Sequence, residues 1–485
     1  MKNLSLLFLL TGLWLQAQFV SPGTGITYTL TSLSAAAPTV LVNNGTSYTM
    51  TANVTITAGD TLLMDENTTL NINPGIKLTV AGNYMTTATA LIITSGDATN
   101  FFNGIQFDAT AQVEMRNTTL EYGGGIRVST GNFLMDNCIV RFFRNGLVTS
   151  GAMSFSTGSP VIQNSQFIQN ERSALSSAAN STVSATISNN YFSGNTTDNS
   201  NRPQINMGPS GLDSIRIINN TVIGDPAKIM VGGIAAASLG SIPQRVRIEG
   251  NTVTNNRYGI TVYGVNAAGY IRNNIITNNN TQNNPDQGGS GIALYGTGDQ
   301  LYIAHNEIRG NLWGITLPTS GTANLGSDVA GNLNPGQNIF FNNGNNGTTT
   351  ALFNNTSNPV MAKFNCWREN ENSTDAMVEA VIHHQADDPA LGPVTYSGHY
   401  NCGTLSTAEV PLPKNAVYPN PSRGFFYFEA PEHGNIIIAD TAGRIIHSSL
   451  VHQGKNEIRL QGLPGVYFML YQFNHRKSSV KLIIQ

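Results

Sequence analysis

One phrase recurs through the middle of this chain, and it limits the possible folds more than any other feature. From about Val161 to Asn343 it reads apolar residue, spacer, two polar residues (usually Asn-Asn), spacer, apolar residue, two spacers and Asn. The clearest copies are Ile187-Ser-Asn-Asn-Tyr-Phe192 closing at Asn195, Ile248-Glu-Gly-Asn-Thr-Val253 closing at Asn256, and Ile271-Arg-Asn-Asn-Ile-Ile276 closing at Asn279. The second polar residue serves as a marker: Ser165, Asn190, Asn220, Asn251, Asn274, Asn306 and Asn338, spaced by 25, 30, 31, 23, 32 and 32 residues. Two residues on stand Phe167, Phe192, Val222, Val253, Ile276, Ile308 and Phe340. Five on stand Asn170, Asn195, Asp225, Asn256, Asn279, Asn311 and Asn343. A recurrence of this size marks stacked units that bury their apolar faces only against each other.

Within each unit the apolar period is 2, so the units are strands. Three short strands and three turns need about this many residues, and the expectation is a right-handed parallel β-helix. Inward Ile, Val and Phe columns form its core, each side chain contributing roughly 1.5–3 kcal/mol on burial. The Asn columns stack as amide ladders bonded to the coils on either side. A constant phrase with variable intervals places the insertions in one class of turn. A small residue and an aliphatic then open another strand at Gly146-Leu147, Ala174-Leu175, Gly233-Ile234, Gly259-Ile-Thr-Val-Tyr263, Gly291-Ile-Ala-Leu-Tyr295 and Gly314-Ile-Thr-Leu317. Glycine there is expected to adopt φ > 0. Val148, Ser176, Thr261, Tyr263, Ala293, Tyr295 and Thr316 then face outward.

The chain has 485 residues, 11% of them charged, and a net charge of −3. That balance argues against nucleic acid or an anionic membrane surface as partner, while 40% apolar residues argue against disorder. Residues 1–17 read as a secretory signal, with Lys2 before the apolar run Leu6 to Leu15. No later segment has the ~20 apolar residues of a membrane-spanning helix. Residues 18–125 keep the period of 2 without the phrase, as at Val54-Thr-Ile56 and Ile76-Lys-Leu-Thr-Val80, and read as first coils shaped to cap an end. The regular repeats and their closing segment occupy 126–402.

After Asn343 the repeat gives way to Asn365-Cys-Trp367 and a helix expected from about Asp375 to His384, capped by Ser373 or Thr374. Asp387-Asp-Pro-Ala-Leu-Gly392 and Val394-Thr-Tyr396 follow. This segment resembles the closing segment of bacterial right-handed parallel β-helix repeat proteins, with Arg368 in place of the usual Gly. Cys366 and Cys402 flank it, and an exported context permits a disulfide between them. Closing roughly 36 residues would contribute about 4 kcal/mol on the loop-entropy model. Cys138, inside a repeat, reads as a lone buried thiol.

Residues 403–416 have linker composition. The final stretch, 417–485, loses the Asn columns and carries Tyr418-Pro-Asn-Pro421, Gly424, Ile436-Ile-Ile-Ala-Asp-Thr-Ala-Gly-Arg444, Leu463-Pro-Gly-Val-Tyr467 and a terminal Lys481-Leu-Ile-Ile-Gln485. These motifs, in this order, closely resemble the C-terminal sorting domain of type IX secretion cargo. The resemblance implies a small β-sandwich, engagement of the type IX machinery, and delivery to the extracellular space or the outer-membrane surface.

Parallel β-helices host polysaccharide lyases and glycosidases, but fold is not function. A glycosidase needs two carboxylates facing one groove, and a lyase needs a base beside groups that neutralise a uronate. The outward residues of the Gly-Ile strands include neither. Tyr263 and Tyr295 are candidates for a sugar-stacking platform. Charge gathers on the strand before the Asn pair, at Arg216, Arg247, Glu249 and Arg272, with Glu307 and Arg309 on the next strand. Arg247, Arg272 and Arg309 are therefore candidates for binding acidic polysaccharide, against the alternative of a solvated face of Arg–Glu pairs. His383 and His384 with Asp387 and Asp388 invite a metal reading, but they belong to the closing segment and read better as capping. His305 reads as a substitute amide in an Asn column. No metal or other cofactor is expected. The reading is a secreted or cell-surface β-helix protein that binds glycans or mediates surface interaction without catalysis. The alternative is a lyase or glycoside hydrolase with its site among Asp286 to Tyr295 or near Arg247 and Arg272.

Overall fold

The computed structural model describes residues 18–144, 150–345, 347–402, 416–441, 445–460, 464–473 and 476–485. The expected signal segment 1–17, the Gly146-Leu147-Val148 strand start, residues 403–415 of the expected linker, and Ala442 to Arg444 and Leu463 of the tail lie outside these residues. The chain divides into two compact units, Met1–Asn401 and Cys402–Gln485.

The first unit is a parallel β-helix. Each coil adds one strand to each of three long sheets, of 14, 14 and 13 strands among the described residues. One coil runs Gly232–Ala237 in sheet 1, Arg245–Glu249 in sheet 2 and Thr252–Thr254 in sheet 3; the next runs Ile260–Tyr263, Ala268–Arg272 and Ile275–Thr277. The columns read from sequence stand in register: Phe167, Phe192, Val222, Val253, Ile276, Ile308 and Phe340 pair in succession. All of them are fully buried.

The corner between sheets 2 and 3 explains the phrase. It is made of the two polar residues alone, from Asn164-Ser165 through Asn189-Asn190, Asn219-Asn220, Gly250-Asn251 and Asn273-Asn274 to His305-Asn306. The first residue of each pair has positive φ, at Asn164, Asn189, Asn219, Gly250, Asn273 and His305, a conformation that Asn and Gly adopt at least cost. His305 thus occupies the left-handed position and not the amide column. The second residue points inward. Asn190 Nδ2 donates to Asn220 Oδ1 at 3.0 Å, Asn220 to Asn251 at 3.0 Å, and Asn251 to Asn274, Asn274 to Asn306, Asn306 to Asn338 and Asn338 to Asn365 at 2.9 Å each. Each amide also donates to a backbone carbonyl of the preceding coil, as Asn251 does to Ile217 at 2.8 Å. A buried amide left unpaired would cost about 1–3 kcal/mol, so one break in the file is felt by two coils.

The second column differs from expectation at one place. Asp225 leaves it and accepts the Ala227 N–H instead. Gln204 fills the gap: its Oε1 accepts from Asn195 and its Nε2 donates to Asn256 Oδ1 at 3.0 Å. A longer side chain from the sheet 1 strand Pro203–Met207 can reach an amide position that Asp, lacking donors, cannot satisfy.

Two further expectations are corrected. Insertions fall between sheets 3 and 1, between sheets 1 and 2, and also in the Asn corner itself, where residues 327–338 separate Asn324–Gly326 from Ile339–Phe341; from Asn164-Ser165 to His305-Asn306 that corner keeps two residues, one at positive φ and one in the ladder. Gly233, Gly259, Gly291 and Gly314 are not in the left-handed region. They are glycine because a Cβ at Gly259 would meet the Gly291 carbonyl at 2.4 Å and Ile276 Cγ2 at 2.7 Å, and the other three are as crowded.

The ends are covered. Near the start, helix Leu30–Ala36, with Thr29 in a capping box, buries Leu30 and Leu33 against the first coils. The hairpin of Leu41–Asn43 with Ser47–Met50 blunts the edge of sheet 3. At the far end Trp367 stacks on Phe340, with ring centroids 5.0 Å apart. The closing helix is shorter than its sequence pattern suggests: Asp375–Glu379, capped by Thr374. Val381 lies beyond it, and Ile382 already forms a sheet 1 strand on Leu352. Cys138 is free and buried, and burial pushes its thiol up to about 12. Cys366 and Cys402 are both disulfide-bonded.

The second unit packs a three-stranded and a four-stranded antiparallel sheet around a core that includes Phe426, Phe428, Ile436, Ile438, Met469 and Leu482.

Candidate functional site

The candidate residues lie on three different sheets. Tyr263 and Tyr295 end neighbouring strands of sheet 1, in register, with ring centroids 6.1 Å apart. Arg247 and Arg272 stand on sheet 2, and Arg309 on sheet 3. The arginines do not form an open basic strip. Arg247 Nε lies 2.8 Å and Arg272 Nη2 3.1 Å from the Glu249 carboxylate. Burial works to raise that carboxyl, but hydrogen bonds and charge from both arginines outweigh it and hold it below its ordinary value. Arg309 grips Glu369 of the closing segment through Nε and Nη2, at 2.6 and 2.9 Å, and also pairs with Glu307. These pairs leave each guanidinium committed within the wall.

A cleft forms instead on sheet 1, where the connection from Thr277 to Ser290 bulges outward. Its floor is the outward file Thr261, Ala293, Thr316 and Phe353, paired coil on coil. The turn Pro285-Asp-Gln-Gly288 forms one wall, and Tyr258, Tyr295 and Trp313 complete a cavity of about 360 Å³. Trp313 Nε1 donates to the Pro285 carbonyl at 3.0 Å, fixing the indole against the turn, and its ring lies 4.8 Å from that of Phe353. Ser290 and Thr316 share a hydroxyl hydrogen bond of 2.9 Å at the base. This wall keeps Ala293 and Thr316 buried although both face outward.

Arg257 lines the same cavity. Only 6% of it is exposed. Its Nη1 donates to Asn201 Oδ1 and its Nη2 to the Gln287 carbonyl, both neutral acceptors. Its buried Nε has no partner, and among the described residues no carboxylate pairs with it. Burial raises the Tyr258 and Tyr295 phenols, and the positive charge of Arg257 opposes the rise at both. The one carboxylate lining the cavity is Asp286, which is exposed on the turn.

Sequence reading found Tyr295 and the Asp286–Tyr295 stretch but missed Arg257, Tyr258, Trp313 and Phe353. The available signal was the run from ladder Asn to strand glycine, Asn256-Arg-Tyr-Gly259 and Asn311-Leu-Trp-Gly314, which carries bulky residues at the corner beside the insertion.

The histidines of the closing segment serve the fold. His384 Nδ1 accepts the Val394 N–H at 3.0 Å, so its proton is on Nε2, which meets Glu379 at 2.9 Å. His383 stacks on Phe353 at 4.7 Å. Among the described residues no group of His, Cys, Asp and Glu is placed to hold a metal ion.

Comparison with known proteins assigns the tail. Residues 416–485 match the family model described as a secretion system C-terminal sorting domain. The tail is a type IX sorting domain. The protein is therefore addressed to the cell surface or extracellular space, and the sorting domain is its point of engagement with the secretion machinery. Among the described residues no helix is long and apolar enough to cross a membrane. No curated protein matches the chain. A crystal structure of a mutant of the periplasmic alginate epimerase AlgG aligns with 77% of this chain and 82% of its own, at 14% identity and a TM-score of 0.37. That likeness is too distant to bear on activity.

Proposed function

We propose that the protein is a secreted surface protein whose β-helix binds an acidic glycan, without catalysis, in the cleft around Arg257. One observation supports this above the others: a buried guanidinium in the lining of an aromatic cavity, bonded to neutral acceptors and lacking a carboxylate. A buried charge without an opposite charge is expensive, and a ligand carboxylate would supply the missing partner. Tyr258, Tyr295, Trp313 and Phe353 offer faces for sugar rings, and Ser290 and Thr316 offer hydroxyls. A glycosidase mechanism uses two carboxylates flanking the bond; the cavity is lined by Asp286 alone.

The test is titration of the chain from Gln18 onward with oligomers of alginate and polygalacturonate, read by tryptophan fluorescence, since Trp313 is in the cleft wall. At least one acidic oligomer is expected to bind, and Arg257→Gln to weaken it tenfold or more, about 1.4 kcal/mol. Equal binding by the variant, or no binding by the native chain, would sink the proposal. Unsaturated products or new reducing ends would replace it with the lyase or hydrolase alternative.

A further inference from the structure

The sheet 3 to sheet 1 corner has its own left-handed column. Positive φ recurs there at Tyr122, Phe142, Gln169, Gly194, Asn255, Asn278, Gly310 and Asn342, each directly after a strand of sheet 3 whose register is continuous. From Gln169 onward the column holds residues with short or amide side chains, or glycine. In the two preceding coils it holds aromatic residues, at φ 56° and 57°. A bulky side chain in that region costs on the order of 1–3 kcal/mol, and two in succession call for a compensating role.

The rings are arranged as a surface. Tyr122 and Phe142 stack with centroids 5.4 Å apart and planes 17° apart, and Phe101 joins Tyr122 at 6.0 Å. None of the three is buried, whereas their chain neighbours Phe102 and Phe143 point into the core. The Arg144 guanidinium is held over Phe101, 4.4 Å from its centroid. Gln169, Glu171, Thr197 and Asp198 face the rings across a cavity of about 400 Å³, within the roughly 300–1,000 Å³ of small-molecule sites.

We infer that this platform is a second carbohydrate site, for the ring of a neutral sugar. A sugar ring is amphipathic: its C–H face packs on an aromatic plane, and its hydroxyls donate to carboxylate and amide oxygens and accept from a guanidinium. The platform supplies an apolar plane on one side and those polar groups on the other. Its two carboxylates, Glu171 and Asp198, are matched by two guanidiniums, Arg144 over Phe101 and Arg141 over Phe142, so it offers no excess positive charge for an acidic ligand. The inference is independent of the Arg257 cleft. Both lie along the same corner of the solenoid, and the connection that gives Thr197 and Asp198 to the platform gives Asn201 to the cleft.

The test is affinity electrophoresis of the full chain from Gln18 in gels cast with laminarin, mannan, xyloglucan or hydroxyethyl cellulose, followed by calorimetry with oligosaccharides of any glucan or mannan that retards it. Retardation by at least one neutral glycan is expected. Tyr122→Asn with Phe142→Asn, which installs the residue of the later coils, should lower that affinity tenfold or more. Asn accepts the left-handed conformation, so the melting temperature should be equal or higher; Phe142→Gln, copying Gln169 one coil on, gives the same readout with a smaller change. Titration of the native chain with acidic oligomers, read at Trp313, is scored separately, so failure here is distinguished from failure at the cleft. Absence of retardation by every neutral glycan, or equal affinity in both aromatic variants, overturns the inference.

Discussion

At the scale of single residues, the molecule is organised by side chains whose hydrogen-bonding capacity is fully used, and by a few where it is not. The Asn file uses both ends of every amide. Asp299 does the opposite. It lies in the turn after Tyr295 and is 7% exposed; Oδ1 accepts the Ala267 N–H at 3.1 Å while Oδ2 is buried without a partner. Burial pushes its carboxyl from an ordinary 3.8 up to about 7, against the smaller effect of the Ala267 bond. The folded chain then keeps a proton that the unfolded chain releases near pH 4. The contribution to stability therefore falls as pH rises from about 4 to about 7, and stays low above that. Asp299→Asn keeps an acceptor for Ala267 and removes the charge. It should flatten this slope and stabilise the protein by about 1–3 kcal/mol at pH 8. Urea midpoints at pH 4.5 and pH 8 check it, and an identical slope in both proteins would refute it. No sequence pattern marks Asp299, because its titration depends on what covers it.

At the scale of elements, the fixed and the variable corners divide the work. The Asn corner was legible because its geometry admits few residues: one that tolerates positive φ, then an amide. The sheet 3 to sheet 1 corner carries its ladder only at its start, at Asn256, Asn279 and Asn311, and can grow beyond it; the cleft exists because it did. Between Thr277 and Ser290 the chain makes a long excursion, whereas one coil later Gly310-Asn311-Leu312 spans the same corner. Replacing Asn280 to Gly289 with a single leucine would copy that short corner and keep Asn278 and Asn279. The expected result is a folded solenoid that loses acidic-glycan binding and shows shifted Trp313 fluorescence, because the indole loses its bond to Pro285. Retained binding would place the glycan elsewhere. The arginines of sheets 2 and 3 show the reverse case. Their positions were readable from the period of 2, but the pairing of Arg272 with Glu249 and of Arg309 with Glu369 depends on which segments become neighbours.

At the scale of the whole molecule, a solenoid and a sorting domain answer different questions, one about binding and one about address. Each has its own core. Truncation after Cys402, which keeps both disulfide-bonded cysteines, should leave the thermal unfolding of the β-helix within a few degrees of the parent while stopping delivery to the medium or cell surface. Fractionation of producing cells and a melting curve of the purified fragment measure the two effects. Secretion of the truncated chain would remove the tail from its assigned role. The sequence by itself determined the coil, the inward columns, the amide file and the identity of the tail, since each rests on local backbone preference or on a period that repetition makes visible. Only the tertiary structure decided that Gln204 replaces Asp225, that Arg257 and Trp313 meet across coils, and that the basic positions are neutralised. Those are contacts between residues far apart in the chain, set by stacking and by the path of irregular turns, and no period records them.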